Sequence, residues 1–89
     1  MANPEHLAKL KEGVERWNQW KGQNPEVRPD LSEADLGSAK LMGVDLSGVH
    51  LREAKLSRAD LSEADLFWTD LGNADLDGVS PQFTSTISK

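Results

Sequence analysis

The residues of this chain best suited to chemistry are two histidines, His6 and His50, and aspartates at positions 30, 35, 45, 60, 65, 70 and 75. Histidine beside carboxylate is the raw material of general acid–base catalysis or of a metal site. His6 and His50 fall on different segments, however, and neither has a second ligand at a spacing such as i, i+4 on one helix. The aspartates could pair as acid and base or line an oxygen site for a divalent cation. But each is followed by a leucine and most recur at intervals of five. They therefore follow a structural period and stand on flat, exposed walls instead of converging on a pocket. The absence of cysteine excludes disulfides, thiolate zinc sites and cysteine nucleophiles. No phosphate-binding G-x-x-x-x-G-K-S/T loop and no G-x-S-x-G elbow occurs. The expectation is a protein with no catalytic residues, no metal site and no cofactor: not an enzyme.

What positions the aspartates is a repeat. Leucine stands at 31, 36, 41, 46, 51, 56, 61, 66, 71 and 76 without a miss. Two residues before each leucine from 36 onward is a small or β-branched residue: Ala34, Ala39, Val44, Val49, Ala54, Ala59, Ala64, Thr69 and Ala74. A period of five fits neither an α-helix, at 3.6, nor a flat strand, at 2.0. In an extended segment residues two apart share a face, so each small residue and its leucine point the same way while the residue between them points out. The next two residues are free to turn a corner. Repetition of that unit winds a β-solenoid with an interior of leucine and alanine.

The pattern, typified by "ADLSE", resembles the pentapeptide-repeat family over roughly residues 29–79. The resemblance implies a right-handed quadrilateral parallel β-helix with four pentapeptides, hence twenty residues, per coil, and about 2.5 coils here. The fold class expected is thus an all-β solenoid with one helix. Twenty-residue stacking sets Asp35, Lys55 and Asp75 in one column, Lys40 over Asp60, and His50 between Asp30 and Asp70, which favours protonated His50. Asp45 over Asp65 breaks this alternation of charge, leaving only solvent screening between them. The coils reach only ~12 Å at ~4.8 Å per strand spacing.

So short a solenoid is mostly ends, and open ends expose leucine and unpaired strand edges. Residues 1–28 read as a capping helix and linker, 29–80 as the repeat body and 81–89 as a C-terminal tail. Asn3 suits an N-cap, Pro4 the first helical position and Glu5 the first turn. Leu7, Leu10, Val14 and Trp17 then follow on one helical face, with Trp20 on the same side. Gly22 suits the C-terminal cap, and Pro25 and Pro29 forbid continuation. The spacing predicts one amphipathic helix over 4–21 lying on the first coil. In the tail, Phe83 and Ile87 are the large apolar residues. Three arrangements are open to them: a plug folded back on the last coil, a homodimer contact with the same end of a second copy, or a frayed end.

Charge bounds the partners. Residues 30–79 hold eleven Asp/Glu against four Lys/Arg, a net of −7, whereas residues 1–29 hold four acids and five bases. An acidic body argues against direct nucleic-acid binding, which draws on clustered Lys and Arg. The helix carries Lys9, Lys11, Arg16 and Lys21, but Glu5, Glu12 and Glu15 nearly cancel them, so it lacks the basic face of an interfacial helix. The opening residues lack the basic start and apolar run of a signal peptide, and no stretch approaches the ~20 apolar residues that span a bilayer. The expectation is a cytoplasmic, bacterial protein with neither a membrane nor a nucleic acid as partner.

Phe67 and Trp68 fill the two corner positions after Leu66, where other units carry Ser, Gly, Glu or Arg. With Met42 they form a candidate interaction patch, unless Trp68 merely covers its own solenoid, lying back over the space left by Gly48, or receives the tail. The function expected is that of a non-enzymatic protein–protein interaction or scaffold module, on its own or as the N-terminal part of a longer protein, with a partner of unknown identity. The alternative, implied by the resemblance, is a mimic of DNA that inhibits or protects an enzyme such as DNA gyrase.

Overall fold

The computed structural model describes residues 1–79. Two helices open the chain, α1 over Pro4–Lys11 and α2 over Val14–Gln23. The Asn3 side chain caps α1, accepting from the backbone N–H groups of Glu5 and His6 with Pro4 at the first helical position. The single helix expected over 4–21 is interrupted at Gly13, which adopts φ 116°, ψ 159° as the N-cap of α2. That conformation is open to glycine and to few other residues. It closes α1 through a bond from the Gly13 N–H to the Leu10 carbonyl, at 3.0 Å, and restarts the helix through its own carbonyl, which accepts from Trp17 at 3.0 Å. Gly22 does not end the helix: it lies inside α2, and the C-cap is Asn24, whose side-chain amide donates to the Trp20 carbonyl at 2.9 Å.

From residue 30 the chain returns to pair with itself every twenty residues. The pairings are Asp30 with His50 and His50 with Asp70, Asp35 with Lys55 and Lys55 with Asp75, Lys40 with Asp60, and Asp45 with Asp65, all parallel. These define four columns. Among the described residues the pairings are isolated bridges and no strand is formed. The reason is the length of each straight piece. Only the small residue, the outward residue and leucine are extended before the next turn, so a ladder cannot lengthen beyond one bridge. The backbone is nonetheless well paired: the Leu31 N–H donates to the His50 carbonyl at 2.8 Å, and the His50 N–H to the Pro29 carbonyl at 2.9 Å. The same two bonds recur down each column.

Between columns the chain turns within four residues, closed by bonds such as Ala34 N–H to the Leu31 carbonyl at 3.1 Å. The third residue of each turn has φ near +60° to +75°, whether glycine (Gly43, Gly48, Gly78) or not (Glu33, Ser38, Glu53, Arg58, Glu63, Trp68, Asn73). A positive φ at the third position alone is the pattern of a type II turn. Inside, leucines 31 to 66 and their small companions are buried except Ala39, which, like Leu71, Leu76 and Val79, is partly covered. Thr69 is the one buried polar residue among those described, and its hydroxyl donates to the Leu46 carbonyl at 2.8 Å.

The helices close the first circuit in two ways. Leu10 and Trp17 are buried against the core, and Leu7, Val14 and Trp20 pack at its margin. Their polar atoms then replace the backbone that a preceding circuit would have supplied. The Trp17 indole Nε1 donates to the Asp45 carbonyl at 2.6 Å, and the Asn18 amide accepts from the Asp45 N–H at 2.8 Å while donating to the Gly43 carbonyl at 3.1 Å. Lys21 Nζ reaches the Ser47 carbonyl at 2.6 Å, and Arg28 Nε the Gly48 carbonyl at 3.0 Å. At the Asp30 column the Asn3 N–H donates to the Asp30 carbonyl at 2.8 Å, and His6 Nδ1 accepts from the Asp30 N–H at 3.1 Å. A raw edge of unpaired amides invites aggregation, and here two of its four columns are sealed by side chains or by the chain's own start.

Candidate interaction surface

The aspartates have a structural task. Each sits two residues before the second residue of a turn, and its Oδ1 accepts that residue's backbone N–H. The pairs are Asp30–Ser32, Asp35–Gly37, Asp45–Ser47, Asp60–Ser62, Asp65–Phe67, Asp70–Gly72 and Asp75–Asp77, at 3.0 to 3.3 Å. This is an Asx turn, the reason Asp and Asn favour such positions. Where the turn begins with serine, its hydroxyl donates to the same carboxylate, at 2.7 Å in Asp30–Ser32 and 2.6 Å in Asp45–Ser47, and likewise in Asp60–Ser62. The Ser32 hydroxyl, then its amide, hold the Asp30 carboxyl below the usual carboxylate range, and Ser62 does the same for Asp60. The "DLS" tripeptide, present at 30, 45 and 60, was a legible signal for this capping.

The histidines are taken up by the scaffold. His6 serves the Asp30 amide and lies 5.4 Å, ring to ring, from Trp20, which in turn lies 5.2 Å from Trp17. His50 pairs by backbone with Asp30 and Asp70, but it is not within 4.0 Å of either carboxylate. The ion pairs among the described residues are elsewhere: Arg52 with Asp70 at 3.7 Å and the N-terminal amine with Glu33 at 3.8 Å. A cleft of about 380 Å³ opens between α1 and α2, lined by His6, Lys9, Glu12 and Trp20 among others.

Among the described residues the large apolar side chains left to solvent are Met1, Met42, Phe67 and Trp68. Phe67 and Trp68 stack edge to face, ring centroids 5.1 Å apart and planes at 89°, while remaining 43% and 61% exposed. Trp68 holds φ 63° at the position that glycine takes in the turn above. The indole does not lie back over that turn: a Cβ at Gly48 would meet nothing within 4 Å. Met42 is 57% exposed and occupies the turn at the other end of the Asp45–Asp65 column. It sits one circuit above the aromatic pair, because the Gly43 N–H bonds to the Ser62 carbonyl and the Gly48 N–H to the Phe67 carbonyl. Phe83 and Ile87 lie outside the described residues.

A family model described as pentapeptide repeats, in eight copies, matches residues 30–66 and 45–80. No curated protein matches the chain at a significant level.

Proposed function

Since the chain belongs to the pentapeptide-repeat family, we propose that it is a non-enzymatic protein-interaction or scaffold module. In this reading its repeats form a right-handed quadrilateral β-helix of about 2.5 coils, with residues 1–28 as the cap and 81–89 as the tail. The twenty-residue offset of the bridges and the buried leucine interior support that architecture. Working surface, on this view, is the Phe67–Trp68 pair with Met42. The observation that carries it is an aromatic pair left largely in water, with its tryptophan in a left-handed conformation that an aromatic residue seldom adopts. Exposed aromatics clustered in this way are the usual anchors of protein interfaces.

The test is the double substitution Phe67→Ser with Trp68→Gly, the residues one circuit earlier. The changed chain keeps its circular dichroism spectrum and loses partner recovery in chemical crosslinking. Recovery and oligomeric state unchanged from the original would sink the reading. Net charge over residues 30–79 supports the second reading, a mimic of DNA acting on an enzyme such as gyrase. A supercoiling assay with and without the protein separates the two. Against mimicry, the carboxylates are accounted for by turn capping, and ~12 Å of repeat spans only a few base-pair steps.

A further inference from the structure

The four columns are not equivalent in charge. Three carry a basic residue or a histidine among their outward positions: His50 between Asp30 and Asp70, Lys55 between Asp35 and Asp75, and Lys40 over Asp60. The fourth has only Asp45 and Asp65, and Glu63 stands at its lower corner. That column alone has exposed apolar side chains at both its corners, Met42 at one and Phe67 with Trp68 at the other. Each aspartate uses Oδ1 to cap a turn, Asp45 for Ser47 and Asp65 for Phe67. Among the described residues no cation comes within 4.0 Å of either carboxylate. Two cations reach the upper corner from the cap, but Lys21 and Arg28 are bound to the carbonyls of Ser47 and Gly48. Turn capping explains an aspartate at each position. It does not explain why the one column with no basic residue, no histidine and no ion pair is the one with hydrophobics at both corners.

We infer that this wall docks an extended basic segment of a partner protein, its Lys or Arg side chains on Asp45, Asp65 and Glu63 and its apolar side chains against Met42 and the Phe67–Trp68 pair. The inference rests on the interaction-module reading and names the chemistry of its partner. An arginine or lysine lying over the Trp68 face gains a cation–π contact as well as the carboxylates. Charge complementarity decides the occupant: two stacked carboxylates repel each other until a cation comes between them, and an acidic or neutral segment leaves that repulsion in place.

The experiment is selection of a displayed random-peptide library on the full chain, then affinity measurement of a recovered peptide against three proteins. These are the original, Asp45→Asn with Asp65→Asn, and Phe67→Ser with Trp68→Gly. Asparagine retains the Oδ1 acceptor, so the turns at Ser47 and Phe67 stay capped and the charge alone is lost. Recovered peptides are expected to combine Lys or Arg with apolar residues, to bind each variant about fivefold or more weakly, and to weaken further with added salt. Peptides with no excess of basic residues would overturn the basic occupant while leaving an interaction surface in place. So would peptides that bind the asparagine variant normally and fail only on the aromatic one. Failure to recover any peptide, or equal binding to all three proteins, would remove both readings.

Discussion

Replacing Trp17 by phenylalanine tests how the helices are held to the repeats. Trp17 is fully buried, and its indole N–H is the partner of the Asp45 carbonyl, a group that would otherwise face an absent circuit. Phenylalanine keeps most of the apolar burial and removes the donor. Loss of the hydrogen bond with a half-buried carbonyl left unpaired costs about 1–3 kcal/mol. The missing ring volume adds roughly 1 kcal/mol, at the low end of large-to-small core changes. About 3 kcal/mol in all lowers the Tm of a domain this size by roughly 12–24 °C. The internal control is Trp20→Phe: Trp20 is half-buried at the core margin, and its indole N–H has no hydrogen bond among the described residues. Its loss should be about 1 kcal/mol, within the ordinary range for such changes. Urea unfolding of both variants, followed by circular dichroism, measures the difference. Equal destabilisation by the two substitutions would refute the idea that side chains replacing a missing circuit hold the cap in place.

Two further outcomes follow from the turns and their capping aspartates. Trp68→Gly should leave stability unchanged or raise it by up to about 1 kcal/mol, because it relieves a left-handed tryptophan that buries little; a urea midpoint lower than the original would count against this. Asp30 and Asp60 are held below their ordinary range, so the unfolded chain binds more protons in acid than the folded one. Their contribution is complete above the unfolded carboxyl range near ~3.9 and is lost as pH falls through the lower folded values. Asp60→Asn should therefore flatten the fall in urea midpoint between about pH 5 and pH 2, and an unaltered profile would show that Asp60 contributes nothing to it.

The register was legible because it is arithmetic. An unbroken series of leucines fixes which residues face each other twenty apart, and every bridge falls on a pair that the spacing names, from Asp30 with His50 to Lys55 with Asp75. Asn3 and Pro4 marked the start of α1 by capping chemistry that is local to a few residues. The break at Gly13 was less visible, since a helix tolerates an interior glycine at a cost of only about 1 kcal/mol, and the competing glycine at 22 proved to be interior. Least legible was the sealing of the first circuit. Trp17, Asn18 and Lys21 look like one face of an amphipathic helix. That they serve carbonyls and an amide at residues 43–47 depends on where α2 comes to rest in three dimensions. The charge of the Asp45–Asp65 column was readable at once, but its apolar borders acquire meaning only when Met42 and Phe67 are seen to flank the same wall.

Every anchor of the cap falls within residues 30–48: the Asp30 backbone, Gly43, Asp45, Ser47 and Gly48. All of them are backbone groups, which any pentapeptide presents at the same place in a circuit. A unit duplicated or removed beyond Gly48 leaves the cap its present partners. One added between Asp30 and Asp45 would carry Asp45 onward, and the unit that took its place would offer Trp17 and Asn18 the same carbonyls and amide. The cap is therefore matched to the main chain of a circuit and not to particular repeats, so the array can change length without losing its seal, and the downstream units are the natural place to graft new surface.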